Sequence, residues 1–245
     1  MNKLICALIL WGMTGLALAA GGHGPALLEA NVNIGNKTSL QRGARLFVNY
    51  CLSCHSAQFM RYQRMATDLG LDDSVVKDNL MFTTDKIGDT MKVAMRPADA
   101  EKWFGVAPPD LSVIARARGA DWLYSFLNGF YLDDTRPTGV NNLYFPDTAM
   151  PHVLSELQGY QQLKDHGEEA GHASHAAPLE LAQAGKMDEE AEYRQATRDL
   201  VAFLVYVGEP AKLVRYRVGF WVIAFLFVLF VATYLMKREY WKDVH

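Results

Sequence analysis

Cys51-Leu52-Ser53-Cys54-His55 is the stretch that decides how the rest of this chain is read. Two thiols one helical turn apart can both form thioethers with the vinyl groups of one haem, and the histidine that follows at once can reach the iron. A bare Cys-x-x-Cys would be open to a redox disulfide or half a zinc site; the adjoining histidine narrows the reading to c-type haem attachment. The remaining cysteine, Cys6, lies in an apolar leader. A zinc site would therefore need two ligands from elsewhere, and the histidine cluster His166, His172 and His175 falls in a low-complexity stretch. A thioredoxin-like disulfide would sit in a β-α-β context, whereas the residues before Cys51 read as helix.

That helix begins at Ser39, a candidate N-cap, and Leu40, Gly43, Ala44, Phe47 and Val48 fall on one face of it up to the haem motif. Gly43 on a buried stripe costs helix stability, which points to a second helix crossing closely. Further upstream, Lys3 precedes an apolar run from Leu4 to Leu18 and the small residues Ala17-Leu18-Ala19. This is the pattern of a secretory signal peptide over residues 1–20 that is removed on export. With 245 residues, 50% hydrophobic and 21% charged, the chain can bury one core and still supply a membrane segment. The segment from Gly21 to Arg217 is net acidic. Acidity excludes nucleic acid as a partner and suits a basic protein.

Beyond the motif, Ser56 to Met65 is read as helical, with Met60 and Met65 as packing residues. Pro108-Pro109-Asp110-Leu111-Ser112 reads as a turn into a helix ending near Arg116 and Arg118. Either guanidinium could neutralise a haem propionate; each is equally a cation placed at a helix C-terminus. Trp122, Leu123, Phe126, Leu127 and Phe130 form a buried stripe. The loop from Leu132 to Pro151 ends in Ala149-Met150-Pro151, an extended segment suited to approach iron from the face opposite His55. Met81, Met91, Met95, Met187 and a nitrogen ligand, His152, compete with Met150 for that position. Residues 165–186 read as an exposed insertion. Ala196, Leu200, Phe203, Leu204 and Val207 then mark a helix ending at Gly208, the expected partner of the helix bearing Gly43. Val218 to Met236 carries no charge over 19 residues, about 29 Å of helix, enough to cross a bilayer. Lys212, Arg215 and Arg217 on one side balance Lys237, Arg238 and Lys242 on the other, so flanking charge does not set its direction.

The haem motif followed by Phe59-Met60-Arg61-Tyr62, the Pro108–Ser112 block with Arg116-Ala117-Arg118, the segment Ala149–Leu154 and a single C-terminal apolar helix together resemble the cytochrome c1 family, haem subunits of cytochrome bc1 complexes. The resemblance implies an all-α, class I cytochrome c-type domain plus one C-terminal transmembrane helix. It implies one covalent haem c on Cys51 and Cys54, His55 and Met150 as axial ligands, and Arg118 as propionate partner with Arg116 as second candidate. It further implies electrons received from a Rieske iron-sulfur protein, in a complex with cytochrome b, and passed to a soluble cytochrome c, with no bond-making chemistry of the chain's own. The expected organisation is a periplasmic haem domain over 21–217, a transmembrane helix over 218–236 in contact with lipid and a cytoplasmic tail over 237–245. That makes a single-pass protein of the bacterial inner membrane. Departures accompany the resemblance: Met150-Pro151-His152 replaces the Met-Ala-Pro-Pro of many relatives, and Trp122 replaces a tyrosine. The acidic docking segments of mitochondrial members have no clear counterpart, leaving Asp133, Asp134, Glu168 and Glu169. Two other readings are a free-standing tethered shuttle serving a terminal oxidase and a haem peroxidase with a displaceable sixth ligand.

Overall fold

The computed structural model describes residues 25–164, 179–187 and 189–242. The leader over 1–20, Cys6, Glu168, Glu169 and the histidines at 166, 172 and 175 lie outside the described residues.

The organising contact is a helix crossing. Helix α1 (Lys37–Leu46) starts one turn earlier than Ser39, because Asn36 is the cap and its side chain accepts the Ser39 amide at 3.2 Å. Ser39 turns inward instead and donates to Asp199. Asp199 belongs to α8 (Glu190–Gly208). The close crossing expected at Gly43 is present: a Cβ there would stand 2.1 Å from the Asp199 carbonyl oxygen and 2.7 Å from Phe203 Cβ. Only glycine lets the two backbones meet. The helix then widens into a π-helical turn, Phe47–Cys51, which carries the first cysteine of the motif on its last residue.

Between these helices run α2 (Tyr62–Leu69), α3 (Asp73–Leu80), α4 (Pro97–Phe104), α5 (Ile114–Arg118), α6 (Ala120–Asn128) and the single turn α7 (Ser155–Gln158). Helix α6 lies against α8, joined by Tyr193 Oη donating to the Leu127 carbonyl at 2.8 Å and by Asn128 to Thr197. Phe47, Met60, Tyr62, Met65, Leu200 and Phe203 fill the core between α1, α2 and α8. Met60 and Met65 are packing residues, 2% and 0% exposed.

Short antiparallel ribbons accompany the helices: β1 (Ala57–Arg61) with β2 (Thr90–Met91), β3 (Phe130–Leu132) with β4 (Val140–Asn142), and β5 (Gly159–Leu163) with β6 (Leu179–Ala184). Two of them correct the sequence reading. Residues 57–61 are strand, not helix, because side chains of the Pro108–Ser112 block take their amides: Gln58 N donates to Asp110 Oδ2 and Phe59 N to Ser112 Oγ. Helix begins only at Tyr62. Within the stretch read as an insertion, residues 179–184 pair with β5 as an exposed strand.

The last element, α9 (Lys212–Tyr240), has 29 residues and extends past both ends of the uncharged stretch. Its apolar stretch within Val214–Tyr240 has mean hydropathy 2.5 and is 0% buried, so its apolar side chains face outward all round.

Candidate haem site

The π-helical turn hands the chain into the motif: the amides of Cys54 and His55 both donate to the Cys51 carbonyl, at 3.0 and 2.8 Å. Cys51 is buried and Cys54 part-exposed; both are free thiols. Burial pushes the Cys51 thiol up to about 12.

His55 is held by the turn that the prolines build. Its Nδ1–H donates to the Pro109 carbonyl at 2.7 Å, leaving Nε2 as the ring's open lone pair. Burial holds the imidazole below the usual histidine range, with the Pro109 contact and Asp110 opposing. A neutral ring anchored through one nitrogen is an oriented iron ligand. The turn itself is tied to the motif by Leu111 N donating to the Ser56 carbonyl at 2.7 Å.

Opposite in the sequence stands the Met150 loop. Asn142, 0% exposed, is its anchor. The Asn142 side-chain Nδ2 donates to the Phe126 carbonyl at 2.8 Å, and its Oδ1 accepts the Tyr144 and Phe145 backbone amides. Asn141 Oδ1 accepts the Asp147 amide, which lets Asp147 sit at φ +62. Thr148 is buried and its hydroxyl accepts the Met150 amide at 3.3 Å. Met150 is part-buried, whereas Met81 and Met91 are sealed in the core at 7% and 0% exposure.

An aromatic series joins these parts. The Arg118 guanidinium lies 4.9 Å above the Trp122 ring and 5.9 Å from Phe145. Trp122 stacks on Phe126 at 5.2 Å, Phe126 meets Phe130 edge-on at 5.1 Å, and His152 lies flat on Phe130 at 4.9 Å. The His152 ring, raised by the sequence as a rival ligand, packs flat on Phe130 with its Nε2 buried and without a hydrogen-bond partner; burial lowers its pKa to about 4. Arg116 parts from Arg118, its stem resting near Gly208 at the end of α8. The Pro109 carbonyl, Asn142 and Phe145 were not singled out from the sequence. The Pro-Pro-Asp turn was visible, but not that its backbone would face His55.

The donor set suits haem. Two cysteines flank a turn, one imidazole has a free nitrogen, a thioether sits on a braced loop, and a guanidinium lies on an aromatic platform. Together with an apolar helix projecting from the domain, this defines a membrane-anchored c-type cytochrome of the class I kind.

Comparison with known proteins makes the class particular. The Cytochrome C1 family profile matches residues 30–244. The chain is 48% identical, over the full length of both, to a protein named cytochrome c1 from Allochromatium vinosum. It is 47% identical, over 92% of each chain, to a Nitrosomonas europaea protein named ammonia monooxygenase gamma subunit. To cytochrome c1 of Rhodospirillum rubrum it is 27% identical over 85% of this chain and 83% of that one. The chain belongs to the cytochrome c1 family. As such it carries a covalently attached c-type haem, serves electron transport, and is a membrane-anchored haem subunit of a bc1 complex beside cytochrome b and a Rieske protein.

Proposed function

We propose that His55 and Met150 are the axial iron ligands, that Cys51 and Cys54 form the thioethers, and that Arg118 pairs a haem propionate. In this reading the chain takes electrons from the Rieske protein and passes them to a soluble cytochrome c. Its haem domain stands on the periplasmic side of a bacterial inner membrane, after loss of a leader over 1–20. The observation that carries the reading is the Pro109 carbonyl fixed 2.7 Å from His55 Nδ1, which fixes the tautomer and orients the free nitrogen.

When bound, the haem supplies a one-electron ferric/ferrous couple. Every other contribution comes from the chain's own groups. His55, anchored through Nδ1 to the Pro109 carbonyl, would hold the iron through Nε2 with its ring orientation fixed. Met150, a soft neutral donor, would help hold the haem, favour its ferrous state and keep small molecules off. Trp122 and Phe145 hold the Arg118 guanidinium where a carboxylate can meet it with two hydrogen bonds.

Met150→Ala tests the ligand set: the long-wavelength Met–iron absorption band is expected to vanish while haem stays attached, and an intact band rejects the assignment. Gentle detergent extraction tests the setting. Recovery with cytochrome b and a Rieske protein is expected; recovery alone favours the tethered shuttle.

A further inference from the structure

The residues around the root of α9 are given no haem contact in the proposed reading, which pairs the propionate with Arg118. Helix α8 ends at Gly208, where a Cβ would stand 3.4 Å from Arg116 Cγ and 3.7 Å from the Ser112 carbonyl oxygen. The Ser112 hydroxyl in turn accepts the Phe59 amide at 3.1 Å. Ala211, three residues past Gly208, caps α9. Phe59, Val113 and Arg116 therefore border the point where the chain leaves the haem domain for the membrane. All three are exposed, Phe59 at 72% and Val113 at 46%. Nothing in the haem reading requires an exposed phenylalanine there.

The charge around them is predominantly basic, with the Glu209 carboxylate paired to Arg215. Lys212, Arg215 and Arg217 lie on the first turns of α9, with Tyr216 exposed among them. The neighbouring carboxylate, Asp110, accepts the Gln58 and Ser112 amides. Apolar rings fringed by guanidinium and ammonium groups have the make-up of a contact with the membrane–water interface. The rings enter the boundary of headgroup and acyl chain, and the cations lie among phosphates.

We propose that Phe59 and Val113, with Arg116 beside them, form a second membrane contact, seated in the anionic lipid interface next to the root of α9. A domain joined to its anchor through Glu209-Pro210 alone could tilt. Pairing of Arg215 with Glu209 at 2.5 Å stiffens that joint, and the lipid contact fixes the height and tilt of the domain. Lipid is favoured over a companion protein because the patch is continuous with the membrane helix and its fringe is basic.

The test uses the full haem-loaded chain in vesicles of phosphatidylcholine and phosphatidylglycerol, where Cys51 and Cys54 are already thioethers. Nitroxide is attached at Phe59→Cys, at Val113→Cys and, as reference, at Leu181→Cys. Leu181 sits on β6, which leads into the N-terminal end of α8; the 19 residues of α8 place that end about 28 Å from Gly208. Collision with oxygen is expected to rise, and collision with a water-soluble nickel complex to fall, several-fold at 59 and 113 relative to 181. Equal accessibility at all three sites overturns the proposal. So does a label at 59 that, in the assembled complex, is immobile and closed to both reagents, since a companion chain then covers the patch. A paired Phe59→Ser, Val113→Ser variant provides a second reading. Its haem spectrum is expected to be unchanged while the spread of haem orientations in oriented multilayers widens; an unchanged spread overturns the proposal as well.

Discussion

Asp199 shows how much one side chain can carry. Its carboxylate, 2% exposed, accepts from Ser39 Oγ at 2.5 Å, Arg42 Nε at 2.5 Å and Gln195 Nε2 at 2.9 Å. Arg42 itself is half exposed, so the ion pair is anchored inside and solvated outside. Asp199→Ala removes every acceptor at once, leaving the buried Ser39 hydroxyl unsatisfied. A loss of about 2–4 kcal/mol is expected, read as a lower thermal unfolding midpoint. Ser39→Ala, which removes one donor and leaves Arg42 paired, is expected to cost about 1 kcal/mol in the same measurement.

The elements depend on close approaches that side chains would block. Gly43→Ala puts a methyl group against backbone rather than a yielding side-chain tip, so α1 and α8 must separate along their crossing. A cost of about 3 kcal/mol is expected, with lowered yield of haem-loaded protein, and the wild-type unfolding midpoint in this variant would contradict the crossing. The Met150 loop is held differently, by amide side chains in place of regular structure. Asn142→Ala strips three hydrogen bonds from the turn before Met150 and leaves the Phe126 carbonyl with the Gly129 amide alone. About 1–3 kcal/mol is expected to be lost. The Met–iron band should fade on heating well before the Soret band changes; simultaneous loss of both would show that Asn142 stabilises the domain and not the loop.

At the scale of the whole molecule, two halves meet different solvents. The domain is acidic and buries its apolar stripes, whereas α9 exposes apolar side chains all round. The chain is expected to stay with membranes through an alkaline carbonate wash and to come away only in detergent; release by carbonate would contradict a spanning helix. The acidic balance of the domain carries its own consequence. The rate of reduction of a basic soluble cytochrome c is expected to fall as salt rises from low to physiological strength, measured by stopped flow.

The residue string alone determined the haem motif, the crossing of two helices and the membrane segment. These rest on short spacings and on periodicity, which act locally: Cys51, Cys54 and His55 lie within five residues, and the stripe through Leu200 and Phe203 repeats at the helical period. Tertiary structure alone decided that Ala57–Arg61 is strand and that residues 179–184 pair with β5. It also separated Arg116 from Arg118, and placed the Pro109 carbonyl on His55 and Asn142 beneath the Met150 loop. Each of these depends on a hydrogen-bond partner or packing surface many residues away, such as Asp110 for Gln58 or Gly208 for Arg116. A partner distant in sequence overrides local propensity because a backbone amide must find an acceptor, and only the folded chain says which one is near.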